Sequence, residues 1–238
     1  MSEKYVFYFP PHQDDEITNF GVSLMQDIDA GYHVVCVLCT DGGASSARRL
    51  IGNGESCLFH DGKHDFPLSV KEFSEARDRE YYACCKAMGL SDECIRISSL
   101  RAHDSELKTD QAERIILDAI GDIPPEQVEV KTLAPVTITP QNPDHSATGN
   151  AALNLYRKGA FAKLTQFYES IFLDKTEKPQ YPIERIIPTS DQKKRFLAAA
   201  ACYGIWEPEN GFYAIGFHSV KDEFDMIMSD PVSLVIKK

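Results

Sequence analysis

The sequence predicts an α/β fold, a mostly parallel sheet covered by helices, in a single domain spanning residues 1–238. Two observations carry that expectation. Apolar runs with strand character alternate with segments of helical periodicity, the pattern of successive β-α-β units. The run at 33–39, His-Val-Val-Cys-Val-Leu-Cys, is apolar almost without interruption, as expected of a strand buried on both faces.

Taken in order, residues 5–9 form the first buried strand. The next segment places Ile17, Phe20, Leu24 and Ile28 on one helical face and stops at Gly31. After the 33–39 strand comes a polar, Gly-rich stretch from 41 to about 67, a length that in a compact domain marks a functional or mobile loop. Ser69 and Glu72 make a capping box for a helix carrying Phe73, Ala76, Ala83 and Ala87, ended by Gly89. A short strand at 94–97 precedes a helix with Ala112, Ile115, Ile116, Ala119 and Ile120 on one side. Residues 128–133 read as a strand and 143–156 as a helix. Farther on, 164–168 and 183–187 read as strands and 190–202 as a helix, while 206–230 mixes aromatics with acids and shows no clear period. Residues 160–238 are left to cover or shape a pocket.

Composition narrows the function. With 43% hydrophobic and 26% charged residues, the chain has the make-up of a globular enzyme, and its net charge of −11 repels phosphate backbones and anionic lipid. Nucleic-acid and membrane partners are therefore disfavoured, and no run approaches the ~20 apolar residues of a membrane span. The apolar stretch at 5–9 is too short for a signal-peptide core. The seven cysteines, an odd number, lie mainly in apolar or helical patterns, among them Cys36, Cys39, Cys84, Cys85, Cys94 and Cys202. They read as reduced core thiols of a cytoplasmic protein rather than ligands or disulfides. The sequence leaves a homo-oligomer open.

Two polar clusters carry the chemistry, both at strand-to-helix turns, where open α/β sheets place their ligands. The first is Pro11-His12-Gln13-Asp14-Asp15-Glu16. His12 and Asp15, three apart, reach one side at a helix start, and imidazole plus carboxylate suits zinc. Asp14 then points elsewhere while staying near the metal, where a general base for a metal-activated water belongs. Alone, the motif fits equally well a helix start whose acids complement the dipole. The second cluster is Pro140-Gln141-Asn142-Pro143-Asp144-His145. His145 supplies a third ligand and leaves a position open for water, and Asp144 can orient a ligand from behind. Here too a structural reading exists, with Asn142 as N-cap and Pro143 as first helical residue. Two such clusters together favour the metal site. No Gly-x-Gly-x-x-Gly follows the first strand, which excludes a dinucleotide site.

At this point the sequence resembles the PIG-L/LmbE-like de-N-acetylases, which act on N-acetylglucosamine conjugates and related amides. The 11–16 motif is similar to the family's Pro-His-Pro-Asp-Asp-Glu, and 142–145 to its His-Pro-Asp-His. Thr40-Asp41-Gly42, the pair Arg77 and Glu80 ahead of Met88-Gly89, and Arg101-Ala102-His103-Asp104-Ser105 match weaker family motifs. The likeness runs over about residues 5–155. It implies a Rossmann-like sheet with helices on both faces, Zn2+ held by His12, Asp15 and His145, and Asp14 as general base. It further implies that Arg77 and Asp104 contact substrate hydroxyls or order the site, with Asp41 and Asp144 in supporting places. Arg77 could otherwise be a solvated helix residue paired with Glu80. Iron(II) could use the same ligands in place of zinc.

The implied activity is removal of an N-acyl group, acetyl above all, from a small sugar-like amine by water attack on the amide. Gln13 replaces a proline that is not a ligand. Asn142 replaces a histidine, and asparagine can donate a hydrogen bond to an oxyanion but cannot deliver a proton. Asp14 would then act in turn as base and acid, with His103 and His218 as less favoured stand-ins. Three rivals remain: a zinc amidase on a larger sugar, thiol-sugar or antibiotic conjugate, a non-catalytic sugar- or metal-binding protein, and a two-metal phosphohydrolase drawing on Asp41 and Asp104.

Overall fold

The computed structural model describes residues 4–54, 56–57, 59, 62–135, 142–169 and 181–237. Its frame is one sheet in the order β3-β2-β1-β4-β5-β9-β6. The strands are β1 (Tyr5–Tyr8), β2 (His33–Thr40), β3 (Ile95–Ala102), β4 (Val128–Leu133), β5 (Lys163–Tyr168), β6 (Ile183–Ile186) and β9 (Ser233–Ile236). β1 to β5 run parallel, and β9 pairs antiparallel with both β5 and β6. A mostly parallel sheet is thus what the apolar runs predicted, since β4 is buried throughout and β2 everywhere past His33.

From β1 the chain moves outward to β2 and β3, then returns to the other side of β1 for β4 and β5. Right-handed crossovers in opposite directions put the intervening helices on opposite faces. One layer holds α2 (Gly21–Asp29), α4 (Val70–Met88) and α7 (Ser190–Ala201), which pack together. The other pairs α5 (Thr109–Ile120) with α6 (Pro143–Arg157). The expected capping box of α4 is present: Glu72 N–H donates to Ser69 Oγ (3.2 Å) and Ser69 N–H donates back to Glu72 (2.8 Å), while Gly89 closes the helix.

Several elements differ from expectation. The segment after β1 is two helices, α1 (Asp15–Thr18) and α2, rather than one. The break falls at Asn19 (φ −113°), whose backbone N–H still donates to the Asp15 carbonyl (3.1 Å) while its side-chain amide donates to Asp15 Oδ1 (3.0 Å). The long loop contains a short helix, α3 (Ala47–Gly52), and β3 runs five residues past the predicted 97. The tail that showed no period forms a two-strand ribbon, β7 (Trp206–Glu207) with β8 (Phe212–Tyr213), then α8 (Ile215–Ser219) and α9 (Lys221–Ser229). Of the cysteines, Cys36, Cys39, Cys84, Cys85 and Cys94 are core thiols as expected, whereas Cys57 and Cys202 are partly exposed. No described helix is long and apolar enough to cross a membrane.

Candidate active site

The strand order reverses between the parallel neighbours β1 and β4, so a crevice opens beyond their carboxyl ends. The chain leaving β1 stays wedged there: Phe9 N–H donates to Lys131 O (3.1 Å), while Cys39 and Thr40 donate to Pro10 and Pro11 carbonyls (3.1 Å each). His12 therefore emerges at the switch point. From the other side α6 begins with Asn142 as its N-cap, whose Oδ1 accepts the Asp144 N–H (3.0 Å), and presents Asp144 and His145 to the same crevice. Pro140 and Gln141 of that motif lie outside the described residues.

Three donor atoms converge. His12 Nδ1 lies 3.2 Å from His145 Nε2, and Asp15 Oδ2 lies 3.3 Å from each. Bonds of ~2.0–2.2 Å from one ion at near-tetrahedral angles require about this separation, and two imidazoles with a carboxylate are a zinc-type donor set. The trio can hold a metal ion. Burial alone would raise the Asp15 carboxyl, but His145 and His12 beside it hold it far below the usual carboxylate range. Burial would likewise lower His145, yet Asp15 and Glu169 raise it to about 10, so negative charge predominates around the trio.

Each histidine is anchored through its other nitrogen. His12 Nε2 meets Asp144 Oδ2 at 3.0 Å and Asp104 Oδ1 at 3.3 Å. Asp144 is itself fixed by the N–H groups of Ser105 (2.7 Å) and Leu107 (2.9 Å), which is why a fully buried carboxylate is tolerated. His145 Nδ1 meets Glu169 Oε1 at 2.6 Å. A carboxylate behind each imidazole fixes its tautomer and leaves the inward nitrogen as a lone-pair donor. Asp104 also accepts the Ala44 N–H (3.1 Å), tying the long loop to this cluster; burial raises its carboxyl, but His12, Arg77 and the Ala44 N–H together lower it to about 2.

Asp14 stands at the edge of the trio in a positive-φ conformation (φ 113°), rare for a residue with a side chain. Its N–H is held by Glu16 (3.0 Å), whose other oxygen accepts from Tyr203 OH (2.6 Å), and its carboxylate by Arg77 (2.9 Å). Burial raises Asp14 to about 6 against the pull of Arg77. Arg77 is buried and also donates to the Gln13 and Gly42 carbonyls, so it is not a solvated partner of Glu80. Glu80 instead accepts the N–H groups of Ile215 (2.8 Å) and Gly216 (3.1 Å) at the start of α8. The close packing explains Gly42: a Cβ there would lie 2.8 Å from the guanidinium and 2.1 Å from Gln13 Oε1, at φ 63°. Gln13 is a bridge, donating to Asp78 (2.7 Å) and to the Asp41 carbonyl (3.2 Å). Asp41 itself lies away from the trio, binding the N–H groups of Gly43 and Asp104 and the exposed His103.

A cavity of about 440 Å³ joins these parts. His12, Asp14, Asp15, Arg77, Asp104, Asn142 and His145 all line it, together with Ser45, Glu169 and Glu223. Sequence reasoning missed Asn19, Glu169 and Glu223. The signal for Glu169 was an acid directly after a buried strand. Glu223 follows no such rule: it lies on α9 and enters only because the tail folds back, where burial and Asp14, Asp15 and Glu169 push it up to about 8.

Comparison with known proteins bears on this geometry. Residues 7–156 match the family model described as PIG-L: GlcNAc-PI de-N-acetylase. No curated protein sequence matches the chain. Among solved structures, it is similar to N,N'-diacetylchitobiose deacetylase from Pyrococcus horikoshii (20% identity, TM-score 0.57, covering 94% of this chain and 76% of that one). It is similar to the A40926 pseudoaglycone deacetylase Dbv21 (17% identity, TM-score 0.65, 99% and 97%). It is also similar to GalB, the 4-carboxy-2-hydroxymuconate hydratase from Pseudomonas putida (15% identity, TM-score 0.55, 98% and 94%). At these identities the likeness is one of fold.

Proposed function

This chain belongs to the PIG-L family of GlcNAc-PI de-N-acetylases, and on that premise we propose that it is a metal-dependent hydrolase removing an N-acyl group, acetyl foremost, from an amino-sugar-type substrate. The observation that carries the reading is the His12–Asp15–His145 trio with Asp14 at its edge and a cavity in front of it. Zn2+ or iron(II) bound by the trio would lower the pKa of a water and polarise the acyl carbonyl.

The chain's own residues supply the rest. Asp14, fixed by Arg77 on one oxygen and by Glu16 through its backbone, is positioned to take the proton of the attacking water. The Asn142 Oδ1 is engaged as the helix cap, so its amide N–H groups are left to donate toward the acyl oxygen as charge develops there. Asp14 then returns the proton to the departing amine, because Asn142 cannot. Arg77 and Asp104 act by holding Asp14 and His12, with the cavity-lining part of each side chain open to a sugar hydroxyl.

A second reading keeps the chemistry and enlarges the substrate. An adjoining cavity of about 660 Å³, bounded by Leu50, Phe59 and Phe217, shares Ser219, Val220 and Glu223 with the first. It could accommodate an apolar extension of a larger glycoconjugate.

The test is acetate release from N-acetylglucosamine and diacetylchitobiose by zinc- or iron(II)-loaded protein, beside a His145→Ala control. Release that vanishes in the control supports the deacetylase. Failure on both sugars, followed by release from an N-acylated glycolipid or glycopeptide, selects the larger substrate. Failure on all of them would overturn the hydrolase reading.

A further inference from the structure

A third group of metal-ligating side chains lies apart from the crevice, where the long loop meets α8. The loop folds back on itself: Gly54 N–H donates to His64 O (2.8 Å), Ser56 bridges to Lys63, and Cys57 N–H donates to Gly62 O (2.9 Å). This hairpin brings Cys57 and His64 side by side against His218 of α8. Cys57 Sγ lies 3.1 Å from His218 Nε2, and one ligand atom from each of the three residues falls within 4.8 Å of the others.

The surroundings match those of a thiolate–imidazole site. His218 Nδ1–H donates to the Ala214 carbonyl (2.7 Å), so Nε2, the atom facing Cys57, carries the lone pair. Cys57 Sγ accepts the Phe59 N–H (3.2 Å), which holds the sulfur in place facing His218. The Trp206 ring lies 4.0 Å from that of His64, limiting its swing. A thiol hydrogen-bonded to an imidazole accounts for Cys57 and His218. His64 brings a third ligand atom to the same point.

We propose that Cys57, His64 and His218 form a second cation site, selective for an ion that prefers sulfur and nitrogen donors, zinc foremost, and that the bound ion pins the loop hairpin to α8. Binding releases the Cys57 proton to solvent and forms bonds to one sulfur and two nitrogens. The ion would fasten two walls of the first cavity to each other. The loop supplies Ser45 and Ser46 to that wall, while α8, α9 and the residue between them supply Ser219, Glu223 and Val220. Ser45 and Ser219 already meet through their hydroxyls (3.0 Å). This site stands independently of the hydrolase reading, and its test does not use turnover.

The experiment is cobalt(II) substitution of the reduced full-length protein, read by metal content and by the near-ultraviolet thiolate-to-cobalt charge-transfer band. A two-histidine, one-carboxylate site cannot produce that band. The expected result is about two cobalt ions per chain with the band present. His145→Ala should lose one ion and keep the band. Cys57→Ser should lose one ion and the band together, and His64→Ala should weaken binding of the same ion. Wild-type protein without the band, or a band that survives Cys57→Ser, would overturn the proposal. Because the wild-type spectrum decides on its own, a misfolded variant does not shield it.

Discussion

Gly149 is where the seating of α6 can be tested, because the helix meets β4 there with no room for a side chain. A methyl group on Gly149 would lie 2.6 Å from the Leu133 carbonyl oxygen, 2.7 Å from Pro135 N and 3.0 Å from the Ala134 carbonyl carbon. These are backbone atoms and cannot rotate away. Ordinary contact begins at 3.4 Å, so Gly149→Ala forces α6 and the end of β4 apart by about 0.8 Å (3.4 less 2.6). His145 precedes Gly149 by one helical turn and moves with it, whereas His12 and Asp15 are anchored on the β1 side. Overpacking of this kind costs ~1–3 kcal/mol, while alanine returns ~1 kcal/mol of helix propensity over glycine. The net loss is then about 1 kcal/mol, or roughly 2–4 °C in Tm for a chain of this length. The damage to function should be larger than that to stability, since a misplacement near 1 Å can cost ~100-fold in turnover. Thermal denaturation of metal-free protein, a zinc titration against a competing chelator and turnover would be measured together. If Gly149→Ala gained about 1 kcal/mol, as propensity alone predicts, and bound zinc as before, the argument that this contact sets the position of His145 would be wrong.

Three further outcomes are expected. Asp14→Asn should bind metal normally while turnover falls ~10²–10⁴-fold, the usual worth of a general base; near-normal turnover would remove Asp14 from the mechanism. Glu169→Gln, which weakens the acceptor behind His145 Nδ1, should reduce metal affinity ~10–100-fold, measured by the same chelator competition; unchanged affinity would count against that anchoring. Glu129 is buried beside Lys4 (2.9 Å) and Lys163 (3.1 Å), and burial raises its carboxyl less than Lys131 and these lysines lower it, from 4.5 to about 2. A folded-state pKa below the unfolded value gives stability that is full above pH 4.5 and lost as pH falls toward 2. Urea unfolding against pH should lose part of that slope in Glu129→Gln, and an identical profile would contradict the assignment.

Much of the frame was legible because burial on both faces leaves a plain mark. The apolar run of β2 has no polar register to hide in, whereas β4 buries Glu129, Lys131 and Thr132 between its apolar residues, and the Ser69–Glu72 box and Gly89 announce the ends of α4 in their own residues. The trio was legible for a related reason: His12 and Asp15 are three apart at a strand end, and Asn142-Pro143 marks a helix start that puts His145 in its first turn, although the chain brings His12 to Asp15 through a turn at Asp14 (φ 113°) rather than along a helix. The break between α1 and α2 was not, because Ile17, Phe20, Leu24 and Ile28 keep helical spacing across it. The break at Asn19 is a backbone departure (φ −113°) that leaves that spacing unchanged, and periodicity is blind to it.

By itself, then, the sequence determined the alternation of elements, the two motifs at strand ends and the identity of the metal-type donors, all of which rest on neighbours in the chain. Tertiary structure decided what stands behind those donors. Glu169 reaches His145 because β5 lies beside β4. Asp144 reaches the far nitrogen of His12 because the chain reverses across β1. Glu223, and His218 facing Cys57, arrive from a tail whose own sequence has no period. Such contacts join residues far apart in sequence. Only when the sheet orders its strands and the tail folds back does the gain from burying apolar surface exceed the cost of bringing these charges together.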